Sequence, residues 1–102
     1  MIELLEQRRS KLAELCRKHH VKTLEVFGSV VAGGWDPQRS DLDFLVEYLP
    51  LEDGEHAGAY FGLLHDLEDL FQRSIHLVMD RAIRSQYFRK GVEKSRRTIY
   101  AA

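Results

Sequence analysis

A chain of 102 residues with 44% hydrophobic content fits one globular domain spanning 1–102, with room for one core and one site. No apolar run approaches the ~20 residues of a bilayer-crossing helix, and the start Met1-Ile2-Glu3 lacks a secretory pattern, so the reading is a soluble, cytoplasmic protein with no membrane contact. A net charge of −1 makes nucleic-acid binding the weakest of the function classes considered.

The charge is unevenly spread. Residues 81–102 hold seven bases (Arg81, Arg84, Arg89, Lys90, Lys94, Arg96, Arg97) against Glu93, while residues 1–80 hold eight against fifteen acids. A solvated helix face accounts for this; contact with phosphates or an acidic partner surface is the functional alternative. The one cysteine, Cys16, cannot form an internal disulfide and reads as core packing. A domain of this size has modest stability, so an oligomer or a complex is expected.

In chain order, Ile2, Leu5, Leu12, Leu15 and Cys16 form a helical stripe over 2–19, interrupted at Arg8 and Arg9. Thr23–Phe27 alternates and stops at Gly28, and Leu42, Phe44, Val46 and Tyr48 alternate with more polar neighbours; both predict strands. After a loop with Pro50, Gly54 and Gly58, the residues Tyr60, Leu63, Leu64, Leu67, Leu70 and Phe71 repeat at helical spacing. Ser74–Met79 predicts a third strand. From Arg81 onward Ile83, Tyr87, Phe88, Val92, Ile99 and Tyr100 predict one or two further helices, with Gly91 as an interruption. The order implies a small α/β (α+β) fold, a mixed sheet of about three strands packed with helices.

Period two in a strand sends Asp41 and Asp43 to one face and Leu42 and Phe44 to the other. Two carboxylates side by side repel unless a cation neutralises them, and hard oxygen donors without patterned cysteine or histidine favour Mg²⁺ or Mn²⁺ over zinc. Gly28-Ser29, at the end of the preceding strand, permits a sharp turn with positive φ and the close approach of an anion, and Ser29 adds a hydroxyl donor. A phosphate held there and bridged by metal to Asp41 and Asp43 is what in-line phosphoryl chemistry requires.

Gly28-Ser29, eleven residues, then Asp41-Leu42-Asp43 resembles the signature of the minimal nucleotidyltransferases, the MNT branch of the DNA polymerase β-like superfamily. The resemblance extends through Phe27, Asp36-Pro37, Ser40 to Glu47, the helix over 60–71, Ile75 to Val78 and the ending Ser95 to Ala102. It implies that Gly28 and Ser29 bind the phosphates of ATP, that Asp41 and Asp43 hold two Mg²⁺, and that the chain is an antitoxin encoded beside a HEPN-domain toxin. Such antitoxins restrain their partner by complex formation and by transferring AMP from ATP to a toxin tyrosine.

Two departures matter. The family's third acid on the later strand is here His76, and its frequent arginine before Gly33 is Ala32. His76 has three readings: a surrogate base or metal ligand, the mark of a site whose catalysis has lapsed, or a packing residue. Asp80 shares its strand parity but lies four residues on, past the strand. An enzyme is one reading of the chain. A non-catalytic antitoxin that occludes its partner is another. His19, His20, His56 and His65 read as surface or helix-end residues, Trp35 as a cover for the core edge or a platform for a nucleobase, and Ser85-Gln86 as a changed helix start.

Overall fold

The computed structural model describes residues 3–33, 36 and 41–102, the Ala32 side chain excepted. The first apolar stripe folds as two helices, α1 (Glu3–Gln7) and α2 (Arg9–Lys18), broken at Arg8 where the apolar spacing lapses. Leu5, Leu12, Leu15 and Cys16 are all buried. Burial pushes the Cys16 thiol up to about 12, against the pull of Arg17, so this is an inert packing thiol. The left-handed His20, at φ 61°, turns the chain into β1 (Val21–Phe27).

The chain continues through α3 (Ser29–Ala32), β2 (Leu42–Tyr48), α4 (His56–Phe71), β3 (Ile75–Met79), a 3₁₀ turn (Asp80–Ala82), α5 (Gln86–Ser95) and β4 (Arg97–Ala101). Sheet order is β3-β2-β1-β4, with β1 antiparallel to both neighbours and β2 parallel to β3. The parallel pair requires a crossover, which α4 supplies. That helix begins four residues before Tyr60, running through Gly58 and Gly62.

Two expectations need correcting at the C-terminal end. The sheet has four strands, because Arg97–Ala101, read as helical, pairs with β1 from Thr23↔Ala101 to Val26↔Arg97. The outer edge of β1 offers backbone partners that a helix there would leave unmet. Arg96 makes the switch: its backbone is extended, at φ −66° and ψ 138°, and its guanidinium grips Glu25 through Nε at 2.9 Å.

The second correction concerns Gly91, which lies inside α5 and does not interrupt it. A Cβ there would meet no atom within 4 Å. Gly91→Ala should therefore raise stability by about 0.5–1 kcal/mol, measurable as a shifted urea midpoint at constant m-value. Ser85 opens the same helix by accepting a hydrogen bond from the Phe88 amide at 3.2 Å, so the Ser85-Gln86 pair does set the helix start.

The sheet's two faces are covered unequally. On one, Leu24, Val26, Leu42, Phe44 and Val46 pack with Leu5, Leu12, Leu63, Leu67 and Phe71 of the helices. On the other, Phe27, Leu45 and Val92 form a small second cluster beneath α5. Asp43 shares strand parity with Leu45, so the carboxylates belong to this thinly covered face.

Where α2 meets α4, Asp66 accepts from Lys18 at 3.0 Å and lies 2.6 Å from His19 Nε2. A Cβ on Gly62 would stand 2.8 Å from His19 Cε1, which accounts for a glycine inside this helix. The His19 contact, then Lys18, holds the Asp66 carboxyl below its usual range despite its burial. A depressed acid stabilises fully above its unfolded pKa and ceases to do so as pH falls through the folded one. Asp66→Asn should therefore cost about 1 kcal/mol at neutral pH, and the gap should close in acid, as urea melts across pH would show.

Candidate functional site

Strand register builds the site. Phe27 pairs with Asp43 across β1 and β2, and Asp43 pairs with His76 across β2 and β3. The Gly28 turn, the Asp43 carboxylate and the His76 ring therefore lie in one row across three adjacent strands, about 4.8 Å apart. Asp41, just before β2, joins them from the strand end.

The three titratable side chains meet. His76 Nδ1 is 3.0 Å from Asp43 Oδ1, and its Nε2 is 3.1 Å from Asp41 Oδ2. A protonated imidazole donates from both nitrogens and serves both carboxylates at once; a neutral ring can donate to one alone. Burial pushes the Asp43 carboxyl above its ordinary range, opposed by His76 and reinforced by the charge of Asp41. The ring itself is 63% exposed, so it can swing away from the pair. Two carboxylates that already converge on a single imidazole ring fit a divalent ion in its place.

Gly28 has φ 76° and ψ −146°, backbone space that is nearly exclusive to glycine. A Cβ on it would stand 2.6 Å from Asp43 Oδ2. Its carbonyl accepts from the Val31 amide at 3.0 Å, closing the turn into α3. Its amide donates to Ser95 Oγ at 3.0 Å. The Gly28 amide is thus engaged by Ser95, and what Gly28 contributes is the close approach of its backbone to Asp43.

A nucleotidyltransferase domain family model matches residues 8–99. The chain belongs to the nucleotidyltransferase family. Among its relatives is the Methanocaldococcus jannaschii protein named "Putative protein adenylyltransferase MJ0128", 32% identical over 93 residues, covering 83% of this chain and 91% of that one. A solved structure named "putative minimal nucleotidyltransferase" is 29% identical at a TM-score of 0.64, covering 94% and 95% of the two chains. The fold also matches a toxin–antitoxin crystal structure with AMP-PNP, at TM-score 0.69 and 21% identity, covering 92% of this chain and 73% of that one. A tri-AMPylated Shewanella oneidensis HEPN toxin in complex with MNT antitoxin matches at TM-score 0.64 and 19% identity, covering 95% and 72%.

The remaining candidates fall elsewhere. Asp80 starts the 3₁₀ turn and pairs with Arg89 at 3.1 Å. His56 opens α4, and its Nδ1 lies 3.2 Å from an Arg81 nitrogen. His65 lies beside Asp66 and Asp69 on α4, away from the sheet, and Asp66 is committed to Lys18 and His19. Trp35 and Ser40 lie outside the described residues, as does the Ala32 side chain. A cavity of about 360 Å³ opens at the far end of β2, around Val46, Tyr48, Met79 and Arg81. It lies at the opposite end of the strand from the Gly-Ser turn and the paired acids. No helix among the described residues is long and apolar enough to cross a membrane.

Sequence reasoning missed Ser95 and the Arg96–Glu25 pair. The signal for Ser95 was present: Phe88, Val92 and Ser95 fall at i, i+4 and i+7, so a hydroxyl stands on the buried stripe of α5.

Proposed function

We propose that this chain transfers AMP from ATP to a protein hydroxyl, and that its acceptor is a HEPN-domain partner encoded beside it. The observation that carries the reading is the meeting of Asp41, Asp43 and His76 next to the Gly28 turn. Asp41 and Asp43 would hold the divalent ion, and the turn at Gly28 and Ser29 would seat the phosphates. Mg²⁺ or Mn²⁺ there would neutralise the two acids and the charge that develops on phosphate.

The acceptor oxygen attacks the α-phosphorus of ATP, a new P–O bond forms, and the bond to the departing pyrophosphate breaks. The hydroxyl proton must leave, and His76, released from one carboxylate, would accept it. The relatives support this direction: one carries a protein adenylyltransferase name, and a structural neighbour pairs an MNT antitoxin with an AMPylated HEPN toxin.

His76 in the third acid's place favours a second reading, an antitoxin that acts by binding without catalysis. ATP labelled at the α-phosphate, incubated with Mg²⁺ or Mn²⁺ and the neighbouring gene's protein, separates the two. Transfer by wild type that disappears in Asp43→Asn is the expected result. No transfer by wild type, alongside transfer by His76→Asp, would establish the binding role.

A further inference from the structure

The turn at Gly28 is held by a residue outside the metal and phosphate set. Ser95 is buried at 8% exposure, near the end of a helix that is otherwise largely solvent-facing. Its hydroxyl donates to the Gly91 carbonyl at 3.3 Å, a common bond for a serine in a helix. It also accepts from the Gly28 amide, sixty-seven residues away, at 3.0 Å.

This second bond fixes one peptide plane beside Gly28, and the Val31 amide fixes the other through the Gly28 carbonyl at 3.0 Å. The residue whose missing side chain admits Asp43 is thereby pinned from both directions. Two other contacts dock α5 on β1: near its start the Phe88 ring meets Phe27 edge-on at 6.0 Å, and just past its end Arg96 grips Glu25. Neither touches the backbone of the turn. Ser95 does.

We propose that Ser95 is a positioning residue for nucleotide binding, its hydroxyl holding the Gly28 peptide so that the turn presents Ser29 to phosphate and leaves Asp43 its place beside the backbone. The proposal rests on the nucleotide reading above. An alternative orientation of that peptide would carry the Gly28 amide away from α5 and shift the backbone against which Asp43 lies. Mispositioning by an ångström is enough to cost a bound ligand or a reaction much of its advantage.

Ser95→Thr and Ser95→Val have nearly the same shape and differ in the hydroxyl, so comparing them removes the effect of filling the buried position. Amide exchange at Gly28, followed by NMR in nucleotide-free protein, should be about tenfold faster in Ser95→Val than in Ser95→Thr. The dissociation constant for MgATP by calorimetry should be about tenfold weaker in Ser95→Val, with Ser95→Thr near wild type. If bulk at this position unfolds both variants, Ser95→Ala replaces them and is compared with wild type on the same two measurements. Equal exchange and equal affinity in the variants with and without the hydroxyl would overturn the proposal. A wild-type protein that binds no MgATP while the exchange difference persists would instead overturn the nucleotide reading, and with it the role of the turn as a phosphate seat.

Discussion

Gly28→Ala should cost about 2–3 kcal/mol of stability and abolish measurable MgATP binding. Two effects combine. The backbone at φ 76° and ψ −146° lies where a non-glycine residue costs about 1–3 kcal/mol, and the new Cβ would lie 2.6 Å from Asp43 Oδ2, a separation that forces the carboxylate aside. For a domain of this size the melting temperature should fall by roughly 10 °C or more. Gly33→Ala is the matched control: φ is 102°, and no atom of the described residues lies within 4 Å of a Cβ there, so it carries backbone strain without moving Asp43. Equal MgATP affinity in the two variants would refute the claim that Gly28 exists to admit Asp43.

His76→Asp is expected to convert the protein from one that is stable without metal to one that depends on it. The exchange removes contacts of 3.0 and 3.1 Å with Asp43 and Asp41 and leaves three carboxylates together. Like charges at such distances repel by a few kcal/mol at an effective dielectric near 20. Solvent at a half-exposed site reduces the net loss to about 1–2 kcal/mol. In chelator the variant should melt several degrees below wild type, and millimolar Mg²⁺ should reverse the order, since a ligand bound by the native state alone adds about 2.7 kcal/mol at a hundred times its dissociation constant. Scanning calorimetry with and without Mg²⁺ reads this directly. A variant melt indifferent to Mg²⁺ would remove the metal from the account of Asp41 and Asp43.

The parts of the molecule legible in the sequence are those set by local periodicity. Alternation in Thr23–Phe27 and Leu42–Tyr48 placed two strands, and it placed the acids opposite Leu42 and Phe44 because one face of the strand is core. The helical repeat from Tyr60 to Phe71 reads cleanly for the same reason. What escaped is decided by partners far away in the chain. Arg97–Ala101 buries Ile99 and shows too little alternation to announce a strand; its conformation is set by the open edge of β1 some seventy residues earlier. Gly91 looked like a break because glycine lowers helix propensity, yet packing of Val92 and Ser95 outweighs that penalty. Within the site, the acids and the glycine follow from residue type and spacing, whereas the capture of the Gly28 amide by Ser95 follows from the docking of α5, which no local pattern encodes.

The central position of β1 has a consequence for biosynthesis. This strand carries the turn next to the acids, and its hydrogen-bonding edges are completed by β2 on one side and by residues 97–101 on the other. A ribosome that has delivered the chain as far as residue 80 has supplied every carboxylate and histidine of the cluster, but neither the helix that steadies the turn nor the strand that closes the sheet. The nascent polypeptide must therefore wait for residues 86–101 before the centre can set, and until then the outer edge of β1 is a template for mispairing that chaperones have reason to shield.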